Sequence, residues 1–95
     1  MIKSFADKVT AELFRREKVR ALPPDILRNA YKKLLLIDAA GKLEDLKVPP
    51  GNKLEKLTGK SAGRYSIRIN DQWRVVFVFE ENNAYEVQIT DYHKG

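Results

Sequence analysis

The sequence predicts an α+β fold in which two N-terminal helices pack on a mostly antiparallel, roughly four-stranded sheet. Two observations carry this prediction. Apolar residues recur at helical spacing in the first half of the chain, and three apolar-rich runs separated by polar turn residues fill the last third. A chain of 95 residues with no internal repeat or linker is expected to form a single domain over residues 1–95.

Two segments in the N-terminal half have the residue spacing of helices. Asp7 can cap a helix over residues 8–18, because its carboxylate can accept the free N–H groups of the first turn. Residues 23–24, both proline, predict the start of a second helix, and Gly41 is expected to end it in the left-handed conformation. One further turn is expected over residues 42–47. The second helix has an apolar stripe that we expect to lie in the core: Leu27, Ala30, Leu34 and Ile37.

The C-terminal third predicts a three-stranded antiparallel meander. Its runs, residues 65–69, 73–79 and 85–90, are rich in β-branched and aromatic residues. Residues 2–5 alternate weakly between polar and apolar side chains and are expected to add an edge strand.

The apolar side chains also predict how the strands are paired. Side chains alternate between the two faces of a strand, so burying the apolar sets of the first two strands together requires Ile69 opposite Trp73. The same alternation predicts the partners of the last strand: Tyr85, Val87 and Ile89 opposite Phe79, Phe77 and Val75, and Thr90 opposite Arg74. The helices are expected to cover this apolar face.

The opposite face of the sheet is predicted to be cationic. In this register Arg68 lies directly opposite Arg74, with Tyr92 just beyond on the same side. Like charges opposed across strands repel, so either nearby acids compensate or the arginines share a bound anion. Lys60 and Arg64 can reach this face from the preceding loop. Such a surface suits phosphate, because the guanidinium fork matches the geometry of phosphate oxygens.

Each residue of this face also has a plainer interpretation. The two arginines can pair with Glu86 and Asp91 as surface ion bridges, and Tyr92 can simply cover the sheet. His93, the single histidine of the chain, can belong to an exposed tail. In the functional interpretation, Tyr92 stacks on a base or positions a phosphate, and His93 exchanges protons near neutral pH.

Composition narrows the class of partner and the compartment. The net charge of +5 comes from 18 Lys+Arg against 13 Asp+Glu, and the excess lies in residues 1–37 and 41–64. This balance suggests a polyanion, with nucleic acid first, although a soluble lysine-rich surface also accounts for it. The chain has no cysteine, which excludes disulfides and thiolate metal sites. With no signal peptide and no apolar run of membrane-spanning length, a cytoplasmic location and no membrane partner are expected.

Three segments resemble the HigB branch of the RelE-type bacterial toxins. They are Pro50-Gly51-Asn52-Lys53-Leu54-Glu55-Lys56-Leu57 with Gly59, then Tyr65-Ser66-Ile67-Arg68-Ile69-Asn70-Asp71-Gln72-Trp73-Arg74, and finally Asp91-Tyr92-His93. Residues 1–5 and 37–40 are also similar, so the resemblance covers essentially the whole chain. It implies the RelE-like fold, in which two N-terminal helices pack on a mostly antiparallel sheet.

The resemblance also implies roles for individual residues. Arg74 corresponds to the phosphate-contacting arginine that follows tryptophan in the family, and Asp91, Tyr92 and His93 correspond to its C-terminal functional segment. These four are the predicted catalytic residues. The predicted RNA-binding residues are Arg68, Lys60, Arg64 and Lys56.

The chain departs from some relatives at two positions. Those relatives have a histidine where this chain has Glu55 and a lysine where it has Thr58. Proton transfer is therefore expected to fall to His93 or to Glu55 acting as a base. Lys60 can supply part of the missing positive charge.

The implied function is that of a toxin in a type II toxin–antitoxin pair. Such toxins enter the A site of the 70S ribosome and cut mRNA through attack of the 2′-hydroxyl on the adjacent phosphate, without a metal or cofactor. The implied partner is a HigA-like helix-turn-helix antitoxin, and the complex commonly binds operator DNA and represses its own operon. Two alternatives remain: a catalytically weak binding module of the same fold, and an inhibitor of another cellular target such as DNA gyrase.

Overall fold

A computed structural model describes residues 1–92, so the predicted catalytic His93 lies outside the described residues. The helices and strands, numbered along the chain, are α1 Lys8–Phe14, α2 Leu27–Ala39, β1 Glu55–Lys56, β2 Arg64–Arg68, β3 Trp73–Glu80 and β4 Asn83–Asp91. Single 3-10 turns occupy Pro24–Ile26, Leu43–Lys47, Pro50–Asn52 and Gly59–Ser61. The two helices and the four-stranded sheet confirm the predicted α+β class.

The sheet has the order β1-β2-β3-β4, and each neighbouring pair is antiparallel. β2 and β3 pair in the predicted register, with Arg68 opposite Arg74. The turn between them closes where the Ile69 N–H donates to the Trp73 carbonyl, 2.9 Å away. Within the turn, Asn70 Oδ1 accepts the N–H groups of Gln72 and Trp73, each at 2.8 Å. The short polar turn thus fixes the register that aligns the two arginines.

The register between β3 and β4 is only partly as predicted. Thr90 lies opposite Arg74 as expected, but the pairing shifts by one residue between Val76 and Val78. Glu86 takes a left-handed conformation, with φ of 53°, at this β-bulge. Phe79 is therefore opposite Ala84 and not Tyr85, so the predicted Tyr85–Phe79 pair is wrong.

Residues at the N-terminus extend the sheet at its β4 edge. Ile2 and Phe5 form isolated parallel bridges with Ala84 and Val87, and the Lys3 N–H donates to the Ala84 carbonyl at 2.7 Å. The predicted edge pairing is therefore present, although as single bridges and not as a regular strand.

Helix α1 is shorter than predicted because its C-terminus is capped early. The predicted helix ran to residue 18, whereas α1 ends at Phe14. Arg16 is left-handed, with φ of 61°, and its N–H donates to the Leu13 carbonyl at 2.9 Å. The Glu17 N–H donates to the Glu12 carbonyl, also at 2.9 Å. This pair of bonds is a Schellman motif, in which glycine is the usual left-handed residue and arginine a rare one.

Helix α2 also ends differently from the prediction. Ala40 is extended, with φ of −64° and ψ of 123°, and so terminates the helix. The Gly41 N–H donates to Asp45 Oδ2 at 2.9 Å, and Gly41 does not take the left-handed conformation. The prediction of a left-handed Gly41 was therefore wrong, whereas the expected turn over residues 42–47 is present as Leu43–Lys47.

The core lies between the two helices and one face of the sheet, as the apolar pattern predicts. Fully buried side chains from α2 meet fully buried side chains from the sheet: Ala30, Leu34 and Ile37 on the helix, and Ile67, Val75, Phe77 and Val87 on the strands. This packing turns the opposite face of the sheet, which carries the arginines, away from the helices.

No helix in residues 1–92 is long and apolar enough to span a bilayer.

Replacing Thr10 with valine is expected to lower the free energy of unfolding by about 1–3 kcal/mol. Thr10 is fully buried on α1, and its Oγ1 accepts the Ile89 N–H of β4 at 3.0 Å. Valine has a similar shape but leaves that buried N–H without an acceptor. Urea denaturation measures the loss, with the exposed Thr58→Val as a control expected to stay within about 0.5 kcal/mol of wild type. Equal stability of both variants would contradict the structural role of this bond.

Candidate active site

Arg74 is the centre of the candidate active site, and contacts from β1, β2 and the chain before β1 hold its guanidinium. One terminal nitrogen, Nη1, donates to Ser66 Oγ at 2.9 Å and to the Lys53 carbonyl at 3.1 Å. The other, Nη2, donates to Glu55 Oε1 at 3.1 Å. Only 8% of the residue is exposed, so Arg74 is an oriented donor and not a mobile surface charge. Within residues 1–92 these bonds use three of its five N–H groups.

Acidic side chains resolve the conflict between the opposed arginines. Arg74 forms an ion pair with Glu55, and Arg68 forms one with Asp71 in the β2–β3 turn. From the sequence, either a shared anion or nearby acids were expected to offset the repulsion between the two arginines, with Glu86 and Asp91 as the candidate acids. Within residues 1–92, the acids that form ion pairs with the two arginines are Glu55 and Asp71, because β1 and the tight turn bring them close. Glu55 is half-exposed, so it stands between the buried arginine and solvent.

Tyr92 lies over Arg74 at the end of β4. The guanidinium carbon of Arg74 is 5.2 Å from the centre of the Tyr92 ring, within the range of a cation–π contact. Gln72 holds this end of the chain, since its carbonyl accepts the Tyr92 N–H at 2.7 Å and its Nε2 donates to Asp91 Oδ2 at 2.9 Å. Gln72, in the β2–β3 turn, therefore positions both Asp91 and Tyr92, and Tyr92 contacts Arg74. His93 follows directly but lies outside the described residues.

A cleft of about 710 Å³ opens beside these residues on the outer face of the sheet. Lys56 and Arg64 line it from β1 and β2, together with Glu55, Asp91 and Tyr92. Lys60 lies in the adjoining Gly59–Ser61 turn, where Ser61 and not Lys60 lines the cleft. Arg68 is engaged with Asp71 and is likewise not among the described residues that line it. The predicted residues thus divide into a group at the cleft and two cations beside it.

The arrangement favours binding of an anion and stabilisation of developing negative charge. Arg74 has a fixed guanidinium, while Lys56 and Arg64 add positive charge along the wall of the cleft. Glu55 is an exposed carboxylate in contact with that guanidinium, and is therefore placed to accept a proton from a group bound there. Among the described residues, no group of three His, Cys, Asp or Glu side chains is placed to hold a metal ion.

Sequence reasoning missed the residues that position Arg74. Ser66 is fully buried and accepts from Arg74, although its only signal was a small hydroxyl residue on the same strand face as Arg68. The Lys53 carbonyl gave no signal at all, because a backbone contact does not depend on side-chain type. Gln72 was predicted only as part of a turn and of the family motif, with no role of its own, yet its side chain donates to Asp91.

Comparison with solved structures supports the class of fold. A chain in the YoeB–YefM complex from Staphylococcus aureus superposes with a TM-score of 0.60 at 21% sequence identity, covering 98% of this chain and 98% of that one. The two helices packed on a four-stranded antiparallel sheet are therefore a fold that this chain shares with a chain of that complex.

Sequence comparison identifies the family within this class. A family model described as the RelE-like toxin of the type II toxin–antitoxin system HigB matches residues 3–93. Toxin HigB-1 of Vibrio cholerae is 37% identical over 95 residues, covering 99% of both chains. Endoribonuclease HigB of Proteus vulgaris is 32% identical over 93 residues, covering 98% of this chain and all of the relative. The chain belongs to the HigB-like toxin family, which confirms the resemblance drawn from its motifs.

Proposed function

We propose that this chain is a type II toxin that inhibits translation by cutting mRNA on the ribosome. One observation carries the proposal: three hydrogen bonds fix Arg74 directly behind Glu55 and Tyr92, two residues that line a cleft also lined by Lys56 and Arg64. This geometry suits a phosphate in an RNA chain and a base stacked beside it. The name of the Proteus vulgaris relative, an endoribonuclease, agrees with this chemistry.

The proposed reaction uses the RNA's own nucleophile. The 2′-hydroxyl attacks the adjacent phosphorus, the bond to the 5′-oxygen of the next nucleotide breaks, and a cyclic phosphate forms. Arg74 stabilises the negative charge that develops on the phosphoryl oxygens. Glu55 is in place to take the proton of the hydroxyl, and His93 is the candidate to return a proton to the leaving oxygen. Tyr92 holds the base or the phosphate in line for attack.

Dependence on the ribosome is part of the proposal. The chain contains one histidine, so an acid–base scheme built on two histidines is not available to it. A ribosome holds mRNA in the A site and so aligns the 2′-hydroxyl with the phosphate. This alignment contributes to the rate where a pair of histidines is lacking. The excess of positive charge, +5 for the chain, favours association with ribosomal RNA. The site of action is then the cytoplasm.

An antitoxin is the proposed protein partner. The matched family is the toxin of a toxin–antitoxin system, and the similar Staphylococcus aureus chain was solved in a YoeB–YefM complex. We propose that this antitoxin is a HigA-like helix-turn-helix protein, and that the complex binds operator DNA through it. Lys56 and Arg64 provide a cationic surface that an acidic antitoxin segment and RNA would compete for.

Purified ribosomes programmed with a defined mRNA test this function. Adding the toxin is expected to produce new 5′ ends within the codon held in the A site, and the same mRNA without ribosomes is expected to stay intact. Cleavage of the free mRNA at the same rate would contradict the proposed dependence on the ribosome. Binding to ribosomes without any cleavage would favour the binding module, and inhibited DNA supercoiling with intact translation would favour a gyrase inhibitor.

Replacing Glu55 with glutamine is expected to slow single-turnover cleavage by about 100-fold, the lower range for loss of a general base. Glutamine can still accept a hydrogen bond from Arg74 but cannot take up a proton. The exposed Glu44, on the Leu43–Lys47 turn, gives a matched control, and Glu44→Gln is expected to cleave at the wild-type rate. An unchanged rate in Glu55→Gln would assign proton abstraction to another group, with His93 the remaining candidate.

A further inference from the structure

The Lys53 carbonyl that accepts from Arg74 belongs to an unusual stretch of backbone. Lys53 is left-handed, with φ of 47° and ψ of 53°, although it is not a glycine. Non-glycine residues adopt this conformation at a cost, so the surrounding structure has to hold it. The direction of the carbonyl, and with it one of the three bonds on Arg74, depends on that conformation. Whatever stabilises this turn therefore also stabilises the guanidinium.

Asn52, the residue before it, locks the turn from inside. Asn52 is fully buried, and its Nδ2 donates to the carbonyls of Leu46 and Val48, at 3.1 Å and 3.2 Å. Its own N–H donates to the Pro49 carbonyl at 2.9 Å. The side chain and backbone of Asn52 together thus bind the carbonyls of Leu46, Val48 and Pro49 next to Lys53.

The remaining atom of that side chain ties the turn to helix α2. Asn52 Oδ1 accepts a hydrogen bond from Lys33 Nζ at 2.5 Å. Burial lowers the pKa of Lys33, and repulsion from Lys32 lowers it further. Among the described residues, the hydrogen-bond partner of the Lys33 ammonium is this neutral amide, and no carboxylate forms a salt bridge with it.

A partly buried ammonium without a carboxylate is a poor way to stabilise a fold. Desolvating a cation costs free energy, and a neutral acceptor returns only part of it. An apolar side chain at position 33 would avoid that cost. The bond does, however, fix Asn52 Oδ1 and so determines which way the amide turns, with Nδ2 towards the two carbonyls. Its geometric effect extends through Lys53 to Arg74.

We propose that Lys33 and Asn52 are a positioning pair that sets the orientation of Arg74 through the Lys53 carbonyl. Neither side chain is among the residues that line the cleft, so both act through the arginine. The inference rests on the proposed nuclease function for its effect on cleavage. Its effect on the arginine itself is independent of any activity.

Lys33→Met tests the pair, because methionine keeps an unbranched apolar stem and removes the donor. Single-turnover cleavage of ribosome-bound mRNA is expected to fall by about 10-fold at saturating toxin, since small displacements of an aligned group reduce rate steeply. The concentration of toxin giving half the maximal rate is expected to stay within about 2-fold, because Lys33 contributes no contact to RNA. Lys33→Arg, which restores a cationic donor, is expected to recover most of the rate. The matched control is Lys32→Met, one residue earlier and exposed, which is expected to match wild type.

A second readout follows Arg74 without relying on cleavage. In ¹⁵N-arginine-labelled protein, the Nη–H signals of Arg74, which donate to the Lys53 carbonyl, Ser66 and Glu55, are expected to be protected from solvent exchange in wild type and in Lys32→Met. That protection is expected to fall in Lys33→Met. The thermal midpoints of all four proteins check that the fold is retained. If Lys33→Met does not fold, Lys33→Leu, which also removes the donor, replaces it with the same expected results.

The outcomes separate the two proposals. Slower cleavage together with a more exchangeable Arg74, at an unchanged thermal midpoint, supports the positioning pair. Wild-type cleavage and wild-type exchange in Lys33→Met would overturn it, as would a drop in thermal midpoint with Arg74 still protected. If wild type itself does not cut mRNA, the nuclease proposal fails, and the exchange measurement alone then decides the positioning pair.

Discussion

Arg74→Ala is expected to reduce cleavage of ribosome-bound mRNA by about 100- to 1,000-fold, comparable to the loss of a preorganised donor to a developing oxyanion. The side chain is held by Ser66, Glu55 and the Lys53 carbonyl before RNA arrives, so no reorganisation is needed as charge develops. Single-turnover rates measure the loss. Arg74→Lys is expected to recover only part of it, because an ammonium keeps the charge but not the planar fork.

Two controls separate chemistry from folding. Alanine at position 74 leaves the buried Ser66 hydroxyl without its donor, so the thermal midpoint is measured alongside the rate. Arg15→Ala removes an equally charged side chain that is exposed, pairs with Glu17 and lies at the C-terminal cap of α1, outside the residues that line the cleft. It is expected to cleave at the wild-type rate. Cleavage by folded Arg74→Ala at the rate of Arg15→Ala would show that Arg74 is not at the site.

Phe77→Ala is expected to lower the free energy of unfolding by about 3–5 kcal/mol. Phe77 is the largest of the fully buried side chains, and it lies on the core face of β3. Alanine would leave a cavity beneath the strand that also carries Arg74. Since domains of this size are stable by only about 5–15 kcal/mol, much of the folded population is expected to be lost on warming. Urea denaturation gives the value directly.

Phe79→Ala is the matched control for this loss. Phe79 is two residues further along the same strand and only partly buried, where its ring meets Phe77 edge-on at 6.4 Å. Its removal is expected to cost clearly less, because water can fill part of the space. Equal losses for the two variants would mean that the core is not centred on Phe77.

Much of the sheet was predictable from the sequence because alternation leaves little freedom. Burying Ile69 and Trp73 on one face fixed the β2–β3 register, and that register alone brought Arg68 opposite Arg74. The bulge at Glu86 was not predictable. It adds one residue to β4, and a glutamate in the left-handed conformation gives no compositional signal. The early end of α1 escaped prediction for the same reason, since the residue that caps it is Arg16 and not glycine.

The site was predictable in its residue types but not in its burial. Arg74 and Tyr92 followed from family motifs, and their 5.2 Å contact brings them together. The sequence predicted a cationic face without indicating how far its arginines are buried, and Arg74 is buried under Glu55 and Tyr92. That difference arises from contacts between residues distant along the chain, in particular the pairing of the short β1 with β2. Roles for Lys56, Arg64 and Asp91 at the cleft remain predictions.

Mapping mRNA 5′ ends after inducing this chain in a bacterium that lacks its antitoxin is the most direct test of the proposed function. Growth arrest is expected within the first generations, with new 5′ ends in phase with the reading frame of translated messages. Both effects are expected to disappear in Arg74→Ala. Arrest without new 5′ ends would contradict mRNA cleavage and point to another target, and soluble protein without arrest would leave only a binding function.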